Sequence, residues 1–465
     1  MVPVSTPDRA GLVSCAFVPM RLLSGRSTSA PRTAAQQVRR ALAAVAGGRF
    51  AALPFPLVFW DGSVLPAAAG PADAPAIHVE REALGQLLHE PNQLGLTRAF
   101  VTGQLRFDGE LREALALRNR FGGASLSPRE LAAVGALALH LAGVDALRPP
   151  RVPDCELRPR GHRHSLRRDR DAVRHHYDVS NAFYRRLLGP TLVYSCAYFE
   201  DPDDPLDAAQ ERKLERICRK LRLEPGERLL DIGCGWGSLV RHAAEHHGVR
   251  AVGITVSERQ AELARERVRD AGLADRVEIR VADYREVADG PYDKIASVGM
   301  YEHVGRAQLG AYAGQIAALL RPGGLALNHG ISSLASSPAG AKSLIQRYVF
   351  PDGELQPVAD VVAALQRAGL ETRDVESMRE HYALTLWRWL DNLEAHREAI
   401  VAEVGIERLR VWQLYMTGSA LAFEDGDITI YQVIVARDGA AHGLPLSRGD
   451  LAADARAVAP GDGRA

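Results

Sequence analysis

"RLLDIGCGWGSLV", residues 228–240, reads as a buried strand, a glycine turn and the start of a helix. In that arrangement backbone N–H groups face a ligand beyond the carboxyl end of the strand. The spacing of the glycines discriminates between ligands. A dinucleotide fingerprint needs a glycine three residues after the second one, where Ser238 stands, whereas Gly233, Gly235 and Gly237 alternate. That is a poor fit to NAD. Asp231, just before the turn, brings a carboxylate to the same strand end.

Working outward, strand-like "ERLLDI" (227–232), "RAVGIT" (250–255), "VEIRVA" (277–282), "YDKIASV" (292–298), "LALNH" (325–329) and "DITIYQVIVA" (427–436) alternate with helical patterns between residues 173 and 437. Such alternation implies an α/β fold, a doubly wound and mostly parallel sheet wrapped by helices. The last segment starts polar and alternates, so it is expected as an added edge hairpin, and "RPGG" (321–324) as a helix stop and turn. Residues 50–147 read as a small α+β domain, with strand-like "PLVFW" before the turn "DGS", strand-like "AIHV" and helical "REALGQLLHE". Residues 148–172 form an arginine-rich linker, either a solvated tether or a patch for phosphate or a membrane surface. Residues 1–49 and 438–465 are expected as flexible tails.

The chain has 465 residues, too many for one typical core, which agrees with two domains plus tails. Apolar residues at 46% and charged residues at 25% are the balance of an ordinary globular protein. Formal net charge is zero, so partners must be read from local charge, and nothing points to nucleic acid. The five cysteines include no C-x-x-C pair, which argues against a disulfide framework and a structural zinc site and favours the cytoplasm. No metal is expected. No apolar run reaches the roughly 18 residues that would span a bilayer.

The pattern Asp-x-Gly-x-Gly-x-Gly resembles the S-adenosylmethionine loop of class I methyltransferases. The resemblance implies that Asp231 and the backbone of Gly233, Gly235 and Gly237 hold the methionine end of the cofactor. Thr255, Ser257 and Gln260 in "GITVSERQ" become the ribose-side candidates, and Asp283 and Tyr284 in "VADYREV" the adenine-side ones. Further segments, "HHYDVSN" (175–181), "VYSCAYF" (193–199), "SVGMYEHVG" (297–305) and "RYVFPDGELQP" (347–357), together resemble a narrower group, the cyclopropane-fatty-acyl-phospholipid synthases. "GLTRAFVTGQL" (95–105) is similar to that family's small N-terminal domain, which favours a membrane phospholipid as substrate.

The chemistry of such a family explains its residue types. A sulfonium methyl is an electrophile and an isolated alkene a weak neutral nucleophile, so methyl transfer leaves a carbocation in the acyl chain. Ring closure then requires a base in a water-excluding pocket, since water would trap the cation. Glu302 follows the strand "YDKIASV" and His329 ends "LALNH", neighbours in the usual strand order, so both can reach one pocket. The resemblance implies a bound bicarbonate as the base, held by Glu302, His329, Tyr382, the backbone of Ile331 and the backbone of Cys196. It also implies cofactor contacts from Tyr194 and Ser195, and allows a homodimer. Competing readings are a helix N-terminal carboxylate for Glu302 and a satisfied core histidine for His329. His303 is read as structural. Met300, Tyr348, Phe350, Trp387 and Trp389 read as core or as the wall of an alkyl pocket. Where many relatives carry a cysteine in "TGSALAF", this chain has Ser419. A lipid substrate places the enzyme peripherally on the inner face of the membrane, docked by the N-terminal domain and linker.

Overall fold

The computed structural model describes residues 32–45, 53–67, 75–116, 128–157, 168, 179–334, 337–338 and 343–448. Residues 1–31, 46–49 and 449–465 of the expected tails, most of the linker arginines and residues 175–178 of "HHYDVSN" lie outside them.

Four short strands make the N-terminal sheet: β1 (Leu57–Phe59), β2 (Val64–Leu65), β3 (Ile77–Val79) and β4 (Leu105–Phe107), in the order β2-β1-β3-β4. The large sheet holds β5 (Arg228–Ile232), β6 (Arg250–Thr255), β7 (Val277–Val281), β8 (Tyr292–Val298) and β9 (Leu320–Ser333), all mutually parallel. A two-stranded ladder, β10 (Ser337–Pro338) and β11 (Glu354–Leu355), follows. β12 (Leu370–Ser377) and β13 (Ile428–Arg437) complete the large sheet, whose order is β12-β13-β9-β8-β5-β6-β7.

Three expectations need correction. β13 is not at the edge: it lies antiparallel between β9 and β12, with seven of its ten residues buried. Its burial on both faces follows from the apolar run after Tyr431, which a helix-covered interior strand requires. "RPGG" lies inside β9, where the register to β8 shifts between Tyr292 and Lys294 and Gly323 adopts φ 71°. The expected tail 1–49 contains a helix, Ala34–Val45, whose Ala34, Ala35 and Val38 pack with Phe59, Leu65 and Leu141 in the N-terminal core.

The two domains share one core. Leu94 and Val101 of the N-terminal helix Gln93–Val101 are fully buried in the same cluster as Trp412, Met416 and Phe423 of the helix Ile406–Glu424. The first residues of the expected linker are anchored there too. Glu156, with a fully buried side chain, accepts from Arg98 Nε at 2.6 Å and Nη2 at 2.7 Å, and from the Tyr348 hydroxyl at 2.9 Å. Farther along, Arg168 pairs with Asp352 across 2.5–2.7 Å. A solvated tether therefore does not describe residues 155–157, because a buried carboxylate is tolerated only where it is paired. After β13 the chain keeps to the sheet edge, with Leu444 packed on the core and Arg448 bonded to Asp374.

Candidate active site

The carboxyl ends of β5, β6 and β8 open into one cleft of about 1280 Å³, part of it continuous with solvent. The alternating glycines are explained locally: Gly233, Gly235 and Gly237 all have positive φ (84°, 54° and 77°), so three left-handed residues crowd one turn. Of the sequence-predicted cofactor residues, Tyr194, Ser195, Asp231, Gly233, Gly235, Thr255, Gln260, Asp283 and Tyr284 line the cleft. Gly237 and Ser257 do not. Gly237 precedes the helix Ser238–His247 and leaves room for Ala264, which a Cβ would meet at 3.2 Å. Ser257 is fully buried, and its hydroxyl caps the helix Glu258–Asp270 by accepting from the Gln260 amide.

Charge inside the cleft is concentrated on Asp231 and on a lysine that the sequence did not single out. Burial pushes Asp231 up to about 7, opposed by the nearby Lys213 ammonium. Asp231 Oδ1 is buried with no hydrogen-bond partner, an acceptor presented at the strand end. Burial pulls Lys213 down to about 8, opposed by Cys196 and Asp231. Its ammonium donates to Ser195 Oγ at 2.8 Å. Lys213 belongs to the helix Leu206–Leu221, whose high charge suggests a solvated face. Its buried stripe nevertheless runs Leu206, Gln210, Lys213, Ile217 and Leu221, the i, i+4, i+7, i+11, i+15 spacing of one face. That periodicity was the available signal.

The residues expected to serve ring closure sit behind this cleft rather than on its wall. β8 and β9 are adjacent, with Val298 opposite His329. Glu302, on a single 3₁₀ turn after β8, accepts from the Ile331 amide at 2.8 Å through Oε1. Its Oε2 and both ring nitrogens of His329 are buried without partners. Burial pushes Glu302 up to about 7 against the lowering effect of the Ile331 N–H. Burial, reinforced by the Lys213 and Lys220 ammonium groups, holds His329 well below the usual imidazole range, so it is neutral. A satisfied core histidine is therefore not what the structure shows. Cys196, Ile331 and Tyr382 meet in one apolar cluster with Trp389, Trp412 and Tyr415. Burial raises the Cys196 thiol, and its Sγ points to the Ala197 carbonyl at 3.2 Å, which makes it no nucleophile.

Aromatic rings ring this interior. Tyr194 lies 5.1 Å from Trp389 and 6.1 Å from Trp412, and Tyr184 4.7 Å from Trp236, between ring centroids. Trp387 stands at the rim of the same cluster, partly buried: it lies under Arg112 at 4.4 Å and donates to Glu424, tying the N-terminal domain to the catalytic one. His303, read as structural, instead lines the cleft beside Met300, edge-on to Phe350 at 5.3 Å, and removal from water pulls it down to about 4. Ser419 is half-buried on the helix Ile406–Glu424 and is not among the residues lining the cleft.

Gly330 lets this site close. A Cβ there would stand 2.1 Å from Tyr301 Cε1, and Tyr301 precedes Glu302 and bonds the Ile331 carbonyl at 2.7 Å. Gly330→Ala is expected to destabilise the fold by about 1–3 kcal/mol through overpacking. Urea unfolding measures it, and an unchanged midpoint contradicts this contact.

Residues 164–433 match the family described as mycolic acid cyclopropane synthetase. A probable fatty acid methyltransferase of Pseudomonas putida is 41% identical over 86% of this chain and 96% of its own length. The cyclopropane-fatty-acyl-phospholipid synthase of Escherichia coli is 37% identical over 59% of this chain and 69% of its own. A mycolic acid cyclopropane synthase solved with SAH and CTAB superposes with a TM-score of 0.55 at 32% identity, covering 58% of this chain and 98% of that one. With a class I methyltransferase sheet, a glycine loop at its carboxyl end and these relatives, the chain belongs to the cyclopropane synthetase family of S-adenosylmethionine-dependent lipid methyltransferases.

Proposed function

We propose that this enzyme transfers the methyl group of S-adenosylmethionine to the cis double bond of an unsaturated acyl chain in a membrane phospholipid and closes a cyclopropane ring. The observation that carries this reading is the buried, unpartnered polar set behind the cleft: Glu302 Oε2 and both nitrogens of His329. Buried polar groups without partners are rare and costly, so such a set fits a small polar guest. Bicarbonate suits it: a neutral imidazole N–H donates to an oxyanion, and a carboxylate accepts from the ion's hydroxyl. Bound there, bicarbonate supplies a base for the methyl proton in a pocket shut off from water. Glu302, His329, Tyr382 and the backbone of Cys196 would hold it, with the Ile331 amide, which donates to Glu302 Oε1 at 2.8 Å, aiming that carboxylate. The aromatic rings around Tyr194 and Trp389 favour a cation in the acyl chain.

A second reading is favoured by the fatty acid methyltransferase relative: the cation is quenched without ring closure, either by proton loss from a neighbouring chain carbon, giving a methyl-branched alkene, or by a hydride shift and then loss of a methyl proton, giving an exocyclic methylene. In both readings the substrate is a bilayer lipid, reached by docking the N-terminal domain and the arginine-rich segment on an anionic surface. Among the described residues no helix is long and apolar enough to cross a membrane. Incubation with unsaturated phosphatidylglycerol vesicles and methyl-labelled S-adenosylmethionine is expected to place label in the fatty acids. Saturated vesicles serve as control. Label absent from the unsaturated lipid, or equal in both, contradicts the proposal.

Asp231 gives a separate test at the cofactor. Asp231→Asn keeps the shape but loses the charge, and weakens S-adenosylmethionine binding by about 10–100-fold, the worth of a hydrogen bond to a charged group. Because Asp231 titrates near 7, wild-type affinity rises as the pH is raised through that value and the carboxylate forms. The asparagine variant lacks this rise. Calorimetry at several pH values measures both.

A further inference from the structure

The two helices that frame the cofactor cleft meet at their far ends in a cluster that the methyl-transfer chemistry does not use. Cys218 of the helix Leu206–Leu221 and His242 and His247 of the helix Ser238–His247 each offer one ligand atom, and these atoms all lie within 4.8 Å of one another. Glu215, three residues before Cys218 and on the same helical face, accepts from His242 Nε2 at 3.1 Å and from His247 Nε2 at 3.0 Å with a single oxygen, Oε2. Its other oxygen accepts from Arg219 Nε at 2.7 Å.

We propose that Cys218, His242 and His247 form a zinc site, with Glu215 as the carboxylate that orients both imidazoles. A carboxylate can only accept, so each ring donates from Nε2 and carries its lone pair on the other nitrogen when neutral. Holding a ligand ring by a carboxylate hydrogen bond is the usual outer-shell arrangement around zinc. The ligand set, one thiolate and two imidazoles, is of the soft and borderline type that selects zinc over magnesium or calcium. Tetrahedral zinc keeps its ligand atoms roughly 3.3–3.8 Å apart, by the bond lengths of about 2.0–2.3 Å, so side-chain rotation that draws the ligand nitrogens and the thiolate together closes the site. Cys218 is fully buried while the histidines and Glu215 are half-buried, which leaves an approach from the surface and a fourth position for water. On binding, the thiol proton leaves to solvent and the metal takes its place.

The location suggests what the metal does. The same helix carries Lys213 into the cleft, and the second helix starts at the glycine loop. A metal joining them clamps the frame of the cofactor site from behind without touching the reacting atoms. The site escaped the sequence reading because its ligands are spread as C-x₂₃-H-x₄-H across two helices, with no C-x-x-C pair to mark it.

The test uses the purified full chain, stripped with a chelator and titrated with zinc or cobalt alone. Expected are one zinc per chain, proton release on binding, a higher unfolding temperature, and a cobalt form with intense visible bands and a thiolate charge-transfer band in the near ultraviolet. Cys218→Ser abolishes the charge-transfer band, His247→Gln removes stoichiometric uptake, and Glu215→Gln weakens zinc binding by roughly 10–100-fold. His247→Gln is a half-buried change at a helix end, and S-adenosylmethionine binding reports that each variant is folded. No stoichiometric uptake by the wild type, or a cobalt spectrum identical in the wild type and in folded Cys218→Ser and His247→Gln, overturns the proposal.

Discussion

Glu302→Gln is expected to slow product formation by about 10²–10⁴-fold, the range for removing a group that serves proton transfer. The glutamine carbonyl can still accept from the Ile331 amide, as Oε1 does at 2.8 Å, so the 3₁₀ turn and the cleft survive. S-adenosylmethionine should therefore bind as before, and the loss should fall on kcat. The same variant should gain stability at alkaline pH. Burial raises Glu302 from 4.5 to about 7, so the folded state prefers its acid form. That preference stabilises the fold fully below pH 4.5 and is lost as the pH rises through 7. At pH 8 the wild type carries a cost on the order of 3 kcal/mol, from about 1.4 kcal/mol per pKa unit, that glutamine avoids. Urea unfolding at pH 8 and pH 4 reads the difference, which should shrink at the lower pH. Full activity in the variant would remove Glu302 from the reaction.

Breaking the Arg98–Glu156 pair is the second large effect. Side-chain exposures of 9% and 0% mean that neither partner can turn to water when the other is lost. Glu156→Ala leaves a buried guanidinium and the Tyr348 hydroxyl without their acceptor, and should cost about 3–5 kcal/mol. Because Leu94 and Val101 are packed into the catalytic core, the N-terminal domain should unfold with the rest in one transition. Two separate transitions, or a loss under about 1 kcal/mol, a surface pair's worth, would show the domains to be independent. Deleting residues 1–147 would expose this shared core, so point substitutions are the cleaner probe of membrane docking.

Sequence legibility followed how local each signal was. The strand-turn-helix at 228–240 was readable because its glycines and its aspartate act within one turn, and nine of the eleven proposed cofactor residues do line the cleft. Gly237 and Ser257 stand off the cleft wall at helix starts, because helix starts and ligand loops use the same residue types. Lys213 was hidden by the charge of its helix, although its position on the buried stripe was countable. β12 was missed since after Leu370 "LETRDVES" alternates half-buried and exposed positions with charged residues, a pattern that only an edge strand tolerates. β13 was found but misplaced, because the pairing partner of a strand is a long-range property. Glu302 and His329 were foreseen at neighbouring strand ends, from the rule that adjacent parallel strands aim their carboxyl ends at one site, whereas Ile331 came only from the family resemblance.

The central claim is that the buried group around Glu302 and His329 directs loss of a proton from the transferred methyl together with ring closure, ahead of any hydride shift. Proton NMR of lipid from unsaturated vesicles, after reaction with S-adenosylmethionine labelled with carbon-13 at the methyl, tests it most directly. The account predicts upfield ring-methylene protons coupled to the labelled carbon. Label in a methyl branch or an exocyclic methylene, with no ring signal, would contradict it.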